Sequence, residues 1–167
     1  MAYFARFRVF LGFVLGAIVL WLSQPTMRTV WAGALVGSAG ELIRIWAAGH
    51  LRKSREVTSS GPYRWVSHPL YLGSTVMGIG LAIASGRLVV TVLIVAYLIA
   101  ALSVAARREE VFLQRTFGAQ YDRYRKGTVD GSRRFSWSLA MANHESRAII
   151  GFLVAVGLLA LKASRNV

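Results

Sequence analysis

Apolar residues in this chain fall into runs long enough to cross a bilayer, separated by shorter polar segments. A transmembrane helix needs roughly 20 mostly apolar residues, fewer if it is short or tilted. The last run has only 14 residues before Lys162, and whether it crosses the bilayer stays open. The pattern predicts an all-α integral membrane protein with about five transmembrane helices, at Phe7–Leu22, Thr29–Gly49, Leu70–Ser85, Leu88–Ala106 and Ala148–Leu161. The stretch Phe135–Asn143 is expected to lie in the membrane interface.

Composition supports the membrane assignment and excludes several classes of function. The chain is 55% hydrophobic and only 16% charged, yet its net charge is +13. A soluble domain has roughly 25% charged residues. A disordered basic tail lacks such apolar content, and a soluble nucleic-acid binder lacks long apolar runs. We therefore expect membrane lipids and no nucleic acid as partners. Without cysteine, and with three histidines that lack zinc-ligand spacing, no metal site is predicted.

The basic residues are distributed unevenly between the two sides of the predicted spans. With the N-terminus in the cytoplasm, 15 of the 20 bases face the cytoplasm, four face the other side, and Arg44 lies within a span. The positive-inside rule favours this orientation. It predicts a multi-pass protein of the plasma (inner) membrane with its active site facing the cytoplasm. One membrane domain, 1–167, then comprises two spans in 1–49, a catalytic region in 50–127, and an interfacial segment and last span in 128–167.

The polar segment before the third span contains Gly61-Pro62-Tyr63-Arg64 and then His68-Pro69-Leu70-Tyr71. Pro69 can start a helix, because the N–H that it lacks would have no partner there. His68 then precedes a helix N-terminus, where an anionic group is favoured. On composition alone, the same residues also fit an ordinary interfacial belt of Tyr, Trp and His.

Two glutamates, Glu109 and Glu110, follow the fourth span directly, and an amphipathic stretch interrupted at Gly118 comes after them. By themselves they also fit a solvated charged cap whose salt bridges contribute about 0–1 kcal/mol each. Glu41 and Arg44 lie inside the second span. An ionisable residue within a membrane indicates function, but the i,i+3 spacing also allows the two to pair with each other.

The order of these motifs resembles the isoprenylcysteine carboxyl methyltransferase family, which is itself similar to the membrane phospholipid methyltransferases. The resemblance covers about residues 47–127 and consists of Gly-Pro-Tyr-Arg, His-Pro-x-Tyr-x-Gly, an apolar hairpin, Glu-Glu and Phe-Gly-x-x-Tyr-x-x-Tyr. It implies an S-adenosylmethionine-dependent methyltransferase with a cofactor pocket at the cytoplasmic face. The implied acceptor is lipidic or amphipathic, and carboxyl O-methylation of a prenylated, isoprenylcysteine-like molecule is favoured.

The resemblance also implies roles for particular residues. Glu109 would accept from the cofactor ammonium, and the helix N-terminus at His68 would receive its carboxylate. Tyr63 or Tyr71 would stack on the purine or contact the sulfonium. The expected cofactor contacts are Thr58, Tyr63, His68, Pro69, Leu70, Tyr71 and Glu109, with Glu110 as the neighbouring candidate. Arg108, Glu109, His68 and Tyr71 are the expected catalytic residues, and Glu41, Arg44 and Arg107 are candidates for substrate binding.

The chain departs from the family pattern at two positions. Ser67 stands where an arginine usually precedes His-Pro, and Ala105 stands where eukaryotic carboxyl methyltransferases have a substrate-contacting arginine. Arg107 or Arg108 is expected to replace that arginine. Three alternatives stay open: a phospholipid or amine N-methyltransferase, an NADPH-dependent enzyme similar to sterol reductases, and a non-catalytic membrane scaffold.

Overall fold

The computed structural model describes residues 12, 14–128 and 131–165, and every regular element in them is helical. The all-α prediction is thereby confirmed. The helices are α1 (Met27–Ala48), α2 (Pro69–Ser85), α3 (Leu88–Phe117), α4 (Ala119–Arg125), α5 (Trp137–Ala142) and α6 (Glu145–Arg165), with a 3₁₀ turn at Gly61–Arg64. Residues 14–22 are also helical, and the start of the predicted first span lies outside the described residues.

The other predicted spans correspond to α1, α2, α3 and α6. By length and composition, α3 and α6 are the two described helices that could cross a membrane, and α2 is a shorter apolar helix of 17 residues. The α6 helix has 21 residues, and it begins before and ends after the predicted run Ala148–Leu161. The α3 helix has 30 residues and continues beyond the predicted run, which ends at Ala106. The number of spans stays a prediction.

Glycines bring α1 and α2 into close antiparallel contact. A Cβ atom at Gly33 would meet the backbone of Gly80, and one at Gly40 would meet the backbone of Gly73. Small residues on both helices therefore let the two backbones approach closely, as is common between helices in membranes.

The antiparallel arrangement gives the bundle two distinct ends. The end of α1 and the start of α2 lie together with the loop 49–68, and we call this the pocket end. The start of α1 and the end of α2 lie together with residues 23–26, and we call this the opposite end. The α6 helix begins at the pocket end, where Asn143 just before it contacts α1, and finishes at the opposite end.

A strap of chain, residues 131–143, packs across the loop that follows α1. The Arg133 guanidinium donates to the His50 carbonyl over 3.1 Å and forms an ion pair with Glu56. The Asn143 amide donates to the carbonyls of Ala48 and Leu51 over 2.9 and 2.8 Å. Further bonds join Arg64 to the Gly131 carbonyl and the Ser136 N–H to the Gly49 carbonyl. The strap therefore holds the loop against the end of α1.

Candidate cofactor pocket

A pocket of about 420 Å³ lies at the pocket end of the bundle. Three parts of the chain form most of its wall, namely the loop 51–58, the start of α2, and the stretch of α3 and α4 that follows the apolar run; Tyr63, Ser67 and Asn143 complete it. Small-molecule sites have volumes of roughly 300–1,000 Å³ and mostly apolar walls with a few polar groups. This pocket has the size and the mixed wall of such a site.

One side of the pocket is formed by His68, Tyr71 and Glu109. His68 occupies the N-cap position of α2, and its ring stacks on that of Tyr71 with centroids 5.3 Å apart. The imidazole Nδ1 lies 3.6 Å from the Glu109 carboxylate, and Nε2 lies 3.2 Å from that of Glu110. Tyr71 also hydrogen-bonds to Glu109. The start of α2 is thereby tied to α3 across the pocket.

The two glutamates affect the protonation of His68 unequally. The hydrogen bond with Glu109 raises the pKa of His68 above its usual range, against the opposing effect of burial, and Glu110 adds to the increase. Glu109 has the larger effect although Glu110 is the nearer carboxylate, and the Glu109 side chain is also the less exposed of the two, at 36% against 53%. Water screens the more exposed charge more strongly. Glu109 is therefore the main cause of the raised pKa of His68.

A glycine turn brings two tyrosines back to the pocket. Gly118 separates α3 from α4 with φ of +40°, a backbone conformation that favours glycine. After this turn, Tyr121 and Tyr124 of α4 line the pocket. The Tyr124 hydroxyl donates to the Tyr63 carbonyl over 2.8 Å. Burial, together with the nearby Glu109 charge, raises the pKa of the Tyr63 phenol, so Tyr63 stays neutral.

The structure brings most of the predicted site residues together. Thr58, Tyr63, His68, Leu70, Tyr71, Arg108 and Glu109 line the pocket. Pro69 is buried at the first position of α2, and Glu110 contacts His68 from outside the wall. Arg107 is exposed and lies outside the wall, as does Ala105. Of the two arginines expected to replace the missing one, Arg108 is the one beside the pocket.

Several wall residues were not singled out from the sequence. Tyr121 and Tyr124 belong to the Phe-Gly-x-x-Tyr-x-x-Tyr motif, so that motif was the available signal. Ser67 lines the pocket and hydrogen-bonds to Tyr124, where the family pattern has an arginine. Asn143 reaches the wall from the strap, and no local pattern indicates it. Its position depends on contacts between segments more than 90 residues apart.

Glu41 and Arg44 lie away from the pocket wall, in a buried cluster with Ser74 and Glu145. The Arg44 Nε lies 2.7 Å from the Glu145 carboxylate and 3.6 Å from that of Glu41, and its Nη1 donates to Ser74. The predicted i,i+3 pairing is therefore present, but Glu145 of α6 is the closer partner. The cluster joins α1, α2 and α6 about one helical turn from Leu70.

His50 is buried beside the pocket but outside its wall. Its Nδ1 lies 3.1 Å from the Ser60 hydroxyl, and a Cβ at Gly61 would contact the His50 ring. Burial lowers the pKa of His50, and the charges of Arg133 and Arg64 lower it further. His50 therefore stays neutral and fixes the shape of the loop.

The fold and the pocket together define a class: a helical protein with span-length apolar helices and a small-molecule pocket at one end. The model of the phospholipid methyltransferase family matches residues 7–120, about two thirds of the chain. The chain belongs to that family, which makes it a membrane methyltransferase acting on lipid-like substrates. No curated protein and no solved structure matches the chain.

Proposed function

We propose that the protein uses S-adenosylmethionine and binds it in the pocket at Glu109. The observation that carries this proposal is the Glu109 carboxylate in the wall of a 420 Å³ pocket, flanked by His68 and Tyr71. A carboxylate beside two aromatic rings suits a ligand with an ammonium and a sulfonium.

The wall residues suit the other groups of this cofactor as well. The N-terminus of α2 has no side-chain cap at His68, so its positive dipole end is available to a carboxylate. Tyr71 and Tyr124, the more exposed tyrosines of the wall, offer aromatic surface for a purine ring. The cofactor supplies an electrophilic methyl group. The residues of the chain contribute alignment and exclusion of water, which are the main requirements of an in-line displacement.

In the proposed reaction, Glu109, His68 and Tyr71 would hold the cofactor so that a lone pair of the acceptor could displace its methyl group, with the electron pair of the broken bond left on the sulfur as a neutral thioether. A carboxylate acceptor has no proton to lose in this step; an amine acceptor has one, and His68 in the wall beside Glu109 would be the residue to take it when its imidazole is neutral.

We propose that the acceptor enters from the bilayer while the cofactor enters from the cytoplasm. In this proposal the chain has about five spans in an inner membrane, with the pocket end in the cytoplasm; the charge distribution supports this orientation, since 15 of the 20 bases then face the cytoplasm. If the acceptor group is the carboxylate of a prenylated, isoprenylcysteine-like molecule, Arg108 is the guanidinium placed to hold it.

Binding of the cofactor tests the proposal directly. The full chain in detergent should show saturable thermal stabilisation by S-adenosylmethionine and none by NADPH, because a bound ligand stabilises the folded state by mass action. Glu109→Ala and His68→Ala should weaken the effect strongly. Asp122→Ala, which removes an exposed acid that lies outside the pocket wall, is the matched control. Unchanged binding in both wall variants would refute the site.

An acceptor assay tests the second half of the proposal. Purified protein is supplied with labelled S-adenosylmethionine and either an N-acetyl prenylcysteine or phosphatidylethanolamine. Label in either lipid supports a lipid-like acceptor, and label in neither contradicts it. Arg108→Gln should reduce turnover of the carboxyl acceptor more than that of phosphatidylethanolamine, because only in the carboxyl acceptor is the reacting group itself the anion that the guanidinium would orient.

A further inference from the structure

The opposite end of the bundle carries basic residues without any acid among the described residues. Arg28, Arg87, Lys162 and Arg165 all lie there. The six described acids, at positions 41, 56, 109, 110, 122 and 145, lie in the half of the molecule nearer the pocket. The positive charge of this end is therefore not balanced by carboxylates of the chain.

Three of these bases line one depression of about 1000 Å³. Arg28 comes from the first turn of α1, Arg87 from the turn after α2, and Lys162 from the last part of α6. The rest of the depression includes apolar side chains, namely Trp21, Leu22, Pro25, Met27 and Ala163. Trp21 is 80% exposed at its rim. Such a surface offers positive charge and apolar contact together.

Backbone carbonyls account for only part of this charge. The Lys162 ammonium donates to the carbonyls of Leu20 and Trp21 over 2.6 and 2.9 Å, and Arg87 donates to that of Leu22 over 3.3 Å. These carbonyls end the helical residues 14–22, and a helix C-terminus carries about half a negative charge. The two positive charges of Lys162 and Arg87 exceed this half negative charge, and the exposed Arg28 adds a third positive charge.

We propose that this depression binds the phosphate group of an anionic phospholipid. Arginine and lysine are the side chains that bind phosphate, and arginine can do so through two parallel bonds. The ends of α2 and α6 place the depression where apolar helices stop, which is the depth of lipid headgroups. The exposed Trp21 suits that depth, because tryptophan is enriched at the membrane interface.

The site is separate from the cofactor pocket. The α1 helix has 22 residues, and at 1.5 Å per residue its two ends are about 33 Å apart. The pocket and the depression therefore share no residue, and a lipid bound at one leaves the wall of the other intact. Lipid binding at this end needs association with a membrane, which membership of the family supports, and it does not depend on the proposed cofactor.

Thermal unfolding and native mass spectrometry of the full chain in detergent test this site. Phosphatidylglycerol should raise the unfolding temperature by several degrees and stay bound in the spectrometer, while phosphatidylcholine should do neither. Arg28→Gln/Arg87→Gln should lose more than half of both effects. The matched control is Arg123→Gln/Arg125→Gln, which removes two exposed bases of α4 at the pocket end and should respond like the parent chain.

The single variant Arg28→Gln separates binding from folding, because it leaves the backbone bonds of Lys162 and Arg87 in place. It should bind less phosphatidylglycerol while its unfolding temperature without lipid is unchanged. Equal lipid responses of the two double variants would overturn the proposal in favour of diffuse attraction. Full stabilisation by inorganic phosphate alone would overturn the assignment to a lipid.

Discussion

The described part of the molecule contains two clusters in which a pair of glutamates meets one cationic or protonatable side chain, and they differ in exposure. In the pocket cluster, His68 lies between Glu109 and Glu110, whose side chains are 36% and 53% exposed. In the buried cluster, Arg44 lies between Glu41 and Glu145, whose side chains are 8% and 3% exposed. The chemistry is similar, but only the first cluster borders a pocket.

The difference shows how burial separates binding from structural roles. A buried charge that loses its partner is costly, so Arg44, Glu41 and Glu145 have little freedom to change. Charges open to solvent at a pocket can exchange one partner for another at small cost, because water compensates the change. The pocket cluster is thus suited to a ligand, and the buried cluster is suited to fixing α1, α2 and α6 together.

Removing the cation of the buried cluster should have the largest effect. Arg44→Met leaves two carboxylates buried without their partner, which should lower the free energy of unfolding by about 3–5 kcal/mol. Thermal or denaturant unfolding in detergent measures it. Arg123→Met, at an exposed position, is the control and should change little. Adding Glu145→Gln to Arg44→Met should restore part of the loss; no restoration would argue against the cluster as described.

Neutralising one glutamate of the pocket cluster should mainly affect the cofactor. Glu109→Gln removes a charge-assisted hydrogen bond worth about 1.5–3 kcal/mol, so the Kd for S-adenosylmethionine should rise roughly 10- to 100-fold. Calorimetric titration in detergent measures it. Glu110→Gln is a close comparison, since Glu110 lies outside the wall, and its effect should be smaller. A larger effect at Glu110 would exchange the roles of the two residues.

Loosening the strap should weaken the cofactor site moderately. Arg133→Met removes the bond to the His50 carbonyl and the pair with Glu56, which itself lines the pocket. These half-exposed contacts contribute about 1 kcal/mol, so the Kd should rise up to roughly fivefold. Arg134→Met removes the exposed neighbouring base without these contacts and should bind the cofactor normally. Equal binding by both variants would show that the strap does not shape the pocket.

The smallest expected effect is on the pH dependence of stability. Because Glu109 raises the pKa of His68 in the folded chain, protonated His68 stabilises the fold fully below its unfolded pKa of about 6.5. That contribution is lost as the pH rises through the raised folded pKa. His68→Gln should therefore destabilise more at low pH than at high pH, as measured by unfolding without cofactor. His144→Gln, at an exposed histidine, is the control.

Much of the candidate site could be predicted because it consists of short motifs. Seven predicted residues, Thr58, Tyr63, His68, Leu70, Tyr71, Arg108 and Glu109, line one pocket. The motif at His68 precedes the apolar hairpin, and the motif at Glu109 follows it. Because a hairpin of two helices returns the chain to the end at which it began, the two motifs meet at the same end of the bundle. The motifs omit Asn143, because this wall residue arrives from the strap.

The sequence by itself determined the helical class, the approximate bounds of four helices and the family. These features follow from local signals in the sequence: apolar runs, prolines and glycines at the ends of helices, and the order of short motifs. Such signals can be recognised without knowledge of the tertiary structure. Only the tertiary structure decided that Glu145 is the closer partner of Arg44, that the strap holds the loop 49–64, and that three distant bases share one depression. Each of these depends on long-range packing, because spacing along a helix gives no measure of distance to a helix 100 residues away.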